Sequence, residues 1–238
     1  MSLPGAADLL AALDATWPAR RTVAQDGWLL RDGAGGGKRV SAATRDRPGA
    51  DMARAEDWMR ARGERPLFRL GPGDADLDAA LAGPGYAVLD PSLIYAAPVT
   101  DLAQKPPSDS LFDLWPPLAI MREIWAAGGI GDARLEVMAR APVPRAGLIA
   151  RRDDRAVGVG FVAMHAQIAM LHAVEVVPGM RRRGIGALIL GGAAHWAQAQ
   201  GAAWLALAVT EANAGARALY ERAGMAAVCG YHYRAAPH

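Results

Sequence analysis

The segment Val174–Leu190, VEVVPGMRRRGIGALIL, constrains the fold of this chain more than any other stretch. An apolar, strand-like run meets a proline turn, three arginines follow, then Gly184-Ile185-Gly186, then apolar residues at helical spacing. A strand entering a helix through a glycine turn is a unit of a mixed α/β fold. The same pattern reads as a cradle for pyrophosphate. Gly184 and Gly186 lack Cβ atoms, so backbone can approach a bulky anion closely. The first helical turn offers unpaired N–H groups and a partial positive charge. Arg181, Arg182 and Arg183 add charge beside them.

Two other phosphate-binding patterns do not fit. A dinucleotide fingerprint places three glycines as G-x-G-x-x-G directly after a strand, whereas here about six residues intervene and Ile189 holds the third position. In Gly33–Arg39, GAGGGKR, Asp32 stands where a phosphate loop has its first glycine and Arg39 where it has Ser or Thr.

The elements around this core alternate. In the first half, helical spacing predicts Ala6–Thr16, Asp51–Arg62 and Asp74–Ala82. Strands are predicted at Gly27–Arg31, Arg39–Thr44, Pro66–Leu70 and Tyr86–Ala97, the last broken at Asp90-Pro91. The polar, proline-containing Asp101–Ser110 reads as a linker. This gives one unit over 1–105 and a second, which carries the glycine cradle, over 106–238. In the second unit, helices are expected at Pro117–Ala127, Asp132–Arg140, Gly184–Gln200 and Asn213–Arg222. A hairpin is expected at Arg145–His165, strands at Ala166–Val177 and Ala203–Val209, and two strand-like pieces at Met225–Ala236. Gly83–Pro98 can be laid over Arg222–Pro237 at a constant offset, Gly85 falling on Gly224 and Ala96-Ala97-Pro98 on Ala235-Ala236-Pro237. In an alanine-rich chain such matches arise either from duplication or by chance.

Arg181–Gly186 matches the R/Q-x-x-G-x-G/A signature of the GNAT superfamily of N-acetyltransferases, which the chain resembles beyond the signature. Val176-Val177-Pro178 is similar to the strand end before it. Asn213–Met225, NAGARALYERAGM, is similar to the family's N-x-x-A-x-x-L-Y-x-x-x-G-F segment, with Met225 in place of the aromatic. The resemblance implies an α/β fold with a mixed sheet of GNAT type in the C-terminal half. The N-terminal half, which lacks R-x-x-G-x-G, then resembles the degenerate half of a tandem acetyltransferase. It also implies acetyl-CoA as cofactor, held by strand residues Val174 and Val176, by Arg181, Arg182, Arg183, Gly184, Ile185, Gly186 and Ala187 at the pyrophosphate, and by Asn213. Tyr220 is then the general acid that protonates the leaving thiolate, and a backbone N–H of the bulged strand stabilises the oxyanion.

The implied reaction is transfer of an acetyl group to a primary amine of a small molecule or peptide. The amine must lose a proton before it attacks, and Glu175 is the first choice of base, with His172 second. A CoA-binding sensor or scaffold without turnover is the alternative. On their residues alone, Tyr220 also reads as a packing residue and Glu175 as a solvent-facing or arginine-paired group.

Composition excludes several other classes. Cys229 is the only cysteine, so an intramolecular disulfide or a cysteine-rich metal site cannot form, and no metal is expected. A net charge of +2 makes no case for nucleic-acid binding. Neither a basic-then-apolar leader nor about 18 consecutive apolar residues occurs, so the expectation is a cytoplasmic protein, monomeric or homodimeric, without a membrane partner.

Overall fold

The computed structural model of the protein describes residues 2–237. In the first half, α1 (Ala6–Thr16) buries Leu9, Ala12 and Leu13, the i, i+3, i+4 stripe of an amphipathic helix. A small antiparallel sheet follows: β1 (Arg21–Gln25), β2 (Trp28–Asp32) and β3 (Thr44–Arg45), with the single turn α2 (Lys38–Ser41) between the last two. Next come α3 (Met52–Arg60), β4 (Leu67–Leu70), α4 (Ala75–Ala82), β5 (Ala87–Pro98) and the one-turn α5 (Val99–Leu102). Asp51 caps α3 by accepting from Ala53 N at 3.0 Å.

The second half runs β6 (Leu111–Leu114), α6 (Ala119–Ala127), α7 (Asp132–Arg140), β7 (Arg145–Arg152), β8 (Arg155–His165) and β9 (Ile168–Val176). It ends with α8 (Ile185–Ala199), β10 (Trp204–Thr210), α9 (Ala214–Arg222) and β11 (Ala226–Ala235). One eight-stranded sheet takes strands from both halves in the order β4-β11-β5-β10-β9-β8-β7-β6, and only β9–β10 is parallel. Helix α8 covers one face through Ile185, Ile189 and Ala193, while α1 and α6 cover the other. With both faces covered, central strands carry apolar residues almost continuously, as β8 does from Val157 to Ala163.

The sheet holds a local two-fold relation. Strand β5, from the first half, lies between β10 and β11, and β11 lies between β4 and β5. At the offset that carries Ala87 onto Ala226, β4, α4 and β5 fall on β10, α9 and β11. The pairing obeys the same relation. Leu70↔His232 has its image in Val209↔Leu93, and Ala96↔Ala226 in Ala235↔Ala87. The repeat is therefore one of structure and register as well as of residue type.

Several expected elements differ. Arg39–Thr44 is not a strand: Lys38–Ser41 turns as a helix, and only Thr44–Arg45 joins β2. Strand β1 escaped notice because its residues are almost all exposed and show no alternation. Asp90 at φ +45 bends β5 without breaking it, and β11 is one strand with register shifts. The stretch read as a linker is packed: Leu102 is buried, and Gln104 N donates to Gly191 O of α8 at 3.3 Å. Among the described residues no helix is long and apolar enough to cross a membrane.

Candidate active site

The cleft begins where two parallel strands separate. Strand β9 pairs with β10 only over Ile168–Leu171 against Trp204–Leu207. Beyond that point β9 stays with β8 as far as Val176↔Gly158, while β10 stays with β5 as far as Thr210↔Ser92. Each strand follows its outer neighbour, so a gap opens between them. A register shift in β9 with Ala173 at φ +51 marks a bulge, and the Trp125 indole N–H holds the Ala173 carbonyl at 2.8 Å. The resulting cleft, of about 1110 Å³, is lined by Val174, Glu175 and Val176 on one side and by Leu207–Thr210 on the other.

The glycine turn closes one wall. Gly184 is the N-cap of α8 at φ +81, a left-handed conformation that glycine adopts without a Cβ clash, and no side chain caps the helix there. The first-turn N–H groups of Ile185, Gly186 and Ala187 are left without an intrahelical partner, and these residues line the cleft together with Arg181 and Arg182. Gly186 has a further reason to be glycine. A Cβ there would stand 3.0 Å from Leu219 Cδ2, so the residue permits the close approach of α9. Arg183 does not line the cleft. Its carbonyl accepts from Arg152 Nη1 at 3.0 Å, which ties the loop to the end of β7. Arg181 in turn donates through Nε to Val176 O at 3.2 Å. This wall fits a pyrophosphate: free N–H groups and two arginines converge there, and Glu175 is the one carboxylate lining the cleft among the described residues.

Three more side chains reach the cleft. Asn213 caps α9, its Oδ1 accepting from Ala216 N at 3.1 Å, so its Nδ2 remains free to donate toward the cleft. Tyr220 is buried apart from its cleft-facing surface, its hydroxyl has no hydrogen-bond partner among the described residues, and burial pushes its pKa up to about 12. Glu175 is half-buried. Desolvation raises its pKa above the usual carboxylate range, against the opposing charges of Arg181 and Arg134. The C-cap of α6, Gly128, leaves room for it: a Cβ there would stand 2.4 Å from Glu175 Cδ.

His172 is placed differently from an available base. Thr16 Oγ1 gives its proton to Ala12 O at 2.6 Å, so it accepts from His172 Nε2–H at 2.8 Å. The Nδ1 lone pair of His172 then accepts from Arg39 Nη1 at 3.2 Å. Burial, aided by the Arg39 charge, holds the ring neutral, well below its ordinary pKa. Both ring nitrogens are occupied, and the second choice of base is withdrawn on that ground.

A second cavity, of about 360 Å³, adjoins the cleft and shares Arg39, Arg134, Ala173, Ala208 and Thr210 with it. Its other walls come from Trp17, the turn at Gly36–Lys38, Asp90 and the phenols of Tyr231 and Tyr233. Sequence reasoning missed these residues because β11 and the first half bring them in from far along the chain. The one visible signal, the GAGGGKR run, reads as an unsuccessful phosphate loop when taken alone.

Residues 112–225 match the acetyltransferase (GNAT) family. A GCN5-related N-acetyltransferase from Kribbella flavida superposes with a TM-score of 0.75 at 20% identity, over 100% of this chain and 97% of that one. A GNAT-family protein from Novosphingobium aromaticivorans gives 0.62 at 19% identity over 91% and 92%. A tandem GNAT protein from the clavulanic acid biosynthesis pathway gives 0.59 at 14% identity over 97% and 88%. At these identities the likeness is one of fold. No curated protein matches the sequence.

Proposed function

The segment 112–225 is a domain of the acetyltransferase (GNAT) family, and from that premise we propose that the protein moves an acetyl group from acetyl-CoA to a primary amine of a small molecule or peptide. The observation that carries this reading is the shared cleft: the same splayed strands lead to an uncapped helix start, an unpartnered phenol and a desolvated carboxylate.

Acetyl-CoA supplies the acyl group as an activated thioester. For it, the N–H groups of Gly186 and Ala187 with Arg181 and Arg182 would bind the pyrophosphate, the edge Val174–Val176 the pantetheine arm, and Asn213 Nδ2 a polar atom of that arm. Glu175, with its basicity raised by desolvation, takes the proton of the acceptor ammonium at its carboxylate. Tyr220 keeps its proton at neutral pH and presents an O–H to the departing sulfur.

We also propose that the first half is a degenerate copy of the second. At the offset established by the sheet register, Leu81 of α4 stands where Tyr220 stands in α9, and Asp74 takes the N-cap place of Asn213. The copy lacks the acid and lends β5 to the catalytic half. Calorimetric titration with CoA, paired with thiol release from acetyl-CoA over a panel of amines, tests the function. Thiol release matched by acetylated amine supports catalysis. Tight CoA binding with no release for any amine supports the sensor instead.

A further inference from the structure

Arg39, part-buried, differs from the other arginines packed into the first half. Arg31 and Arg69, both nearly inaccessible, share the carboxylate of Asp14 at 2.7 and 2.5 Å. Arg45 pairs with Asp74 and Asp76. Arg39 has no carboxylate partner among the described residues. Its Nη1 donates to the neutral ring of His172, its guanidinium lies 5.8 Å from the Trp17 ring centroid, and its Nε is covered with no acceptor. The Nε atoms of Arg140 and Arg145 are also covered and unpartnered, but those side chains donate to the carbonyls of Pro18 and Ala141. Arg39 has no such carbonyl among the described residues, and its further partner, the Tyr231 hydroxyl, is uncharged. An arginine stays charged in any protein environment, and a cation enclosed without a counter-ion is costly.

The surroundings add positive charge. Arg39 lines both the cleft and the adjoining cavity. In the cavity wall, Lys38 is neutralised by Asp90 at 2.9 Å and Arg134 faces the charge of Glu175, which leaves Arg39 as the cation without a carboxylate among the described residues. The hydroxyls of Tyr231, Tyr233 and Ser92 on that wall are uncharged: Tyr231 shares hydrogen bonds with Arg39 and Tyr233, and Ser92 gives its proton to Asp90 O at 2.8 Å. Arg39 itself is held in place: the chain Ala12 O, Thr16, His172 fixes the atom that receives Nη1. A preset guanidinium with no carboxylate beside it is a site for a planar anion.

We propose that the acceptor is an amine that also carries a carboxylate, an amino acid or short peptide acid, and that Arg39 reads the carboxylate in the cavity while the amine faces Glu175 in the cleft. This rests on the transfer reaction proposed above and narrows its acceptor. A cavity of about 360 Å³ takes one amino-acid-sized group and no large chain. The reading also accounts for His172: its imidazole positions Arg39 and takes no proton from the acceptor.

The test compares matched acceptors, phenylalanine against phenylalaninamide and 4-aminobutyrate against 4-aminobutyramide, with acetyl-CoA and the full-length chain. The carboxylated member should be preferred at least about 100-fold in kcat/KM, the scale of one charge pair left unmatched on truncation. Arg39→Met keeps the stem over Trp17 and should collapse the ratio toward unity, chiefly through KM, while CoA affinity stays within about 3-fold. Arg39→Lys keeps the charge without the fork and should restore part of the ratio. Equal rates for charged and uncharged acceptors, or preference for an aminophosphonate over the carboxylate, overturn the proposal. So does an Arg39→Met variant that folds, binds CoA and keeps the ratio. Binding of N-acetylphenylalanine, measured by calorimetry against its amide, reads the anion site without turnover. Carboxylate-selective binding that Arg39→Met abolishes supports the site even if no amine is acetylated. Loss of transfer with retained selective binding then refutes the reaction and leaves the carboxylate site standing.

Discussion

The Cα of Gly128 faces the Glu175 side chain so closely that a Cβ there would lie 2.4 Å from its carboxyl carbon. Helix α6 thus fixes the space in which the proposed base can stand. Gly128→Ala should displace the carboxylate with little effect on CoA affinity, because the glycine turn of α8 is built from other residues. The expected loss in kcat/KM is about 10-fold or more, and Glu175→Gln should lose roughly the 10²–10⁴-fold typical of a missing general base. Steady-state kinetics beside CoA calorimetry separates the two effects. A Gly128→Ala enzyme with unchanged kcat/KM would remove the positional argument.

Glu175 also sets a pH dependence. Its pKa is raised by desolvation, so the carboxylate becomes available as a base only above a pH higher than the usual carboxylate range. The kcat/KM profile should rise with pH through that value, and Glu175→Gln should abolish this limb. Stability should run the opposite way. Because folding disfavours the ionised form, the stabilisation present at low pH is lost as pH rises through the folded pKa. Glu175→Gln should therefore be at least as stable as the wild type at pH 7 in urea unfolding. A clearly less stable variant would show that the charge is needed for folding.

Much of the cleft was legible because its parts are local in sequence. Gly184 needs a left-handed backbone, Asn213 caps the helix that follows it, and Tyr220 lies two turns further along the same helix, so one segment carries each signal. The cavity was not legible. Trp17, Arg39, Asp90 and Tyr231 meet only because β5 and β11 exchange places in the sheet, and strand exchange leaves no mark in local periodicity. Arg39–Thr44 misled for a related reason. Val40 and Ala42 flank Ser41 in strand-like alternation, but Lys38–Ser41 turns as a helix and delivers Arg39 to the cavity. The constant offset between the two halves was the one sequence signal of the exchange.

Gly184 makes a separable prediction. An added Cβ meets nothing within 4 Å, so the obstacle to substitution is the backbone angle of +81° and the ligand space, with no protein neighbour involved. Gly184→Ala should cost about 1–2 kcal/mol of stability through that strain. Gly184→Val should do the same and also weaken CoA binding by at least about 10-fold. Thermal unfolding and calorimetry check both. Unchanged CoA affinity in Gly184→Val would place the pyrophosphate elsewhere.

The exchanged strands predict what dissection does. A fragment covering 106–238 loses β5, which leaves the facing edges of β10 and β11 unpaired, and exposed edges of this kind aggregate. It should be insoluble alone and recover when co-expressed with 1–105. The Asp78 carboxylate, held at a pKa of about 2 chiefly by its hydrogen bond from Arg234, fastens α4 to β11 across the exchange. Its depressed pKa means that the stabilisation is present above the ordinary carboxylate value and is lost as pH falls toward 2. Asp78→Asn should thus be less stable at pH 7, with the difference shrinking below pH ~4. A soluble, fully active 106–238 fragment would refute the mutual dependence of the halves.

Tyr220 poses the sharpest chemical question, because burial raises its pKa to about 12. The phenol therefore stays protonated across the working pH range and should contribute no alkaline limb to the rate profile. It is also a weaker acid than a thiol, so complete transfer to a free thiolate is uphill. The useful contribution is a hydrogen bond donated to sulfur as charge develops there, with the proton following only if the local field favours it. Tyr220→Phe keeps the ring and its packing against Tyr95, whose centroid lies 6.0 Å away, and removes only the O–H. CoA affinity should persist, while kcat and kcat/KM fall together by about 10²-fold, the low end for a lost acid. An acyl donor with a more acidic thiol needs less help in leaving, so the mutant's deficit should shrink with that donor. An equal deficit with both donors would mean that Tyr220 acts through packing, and the role of acid would pass to water or to another group.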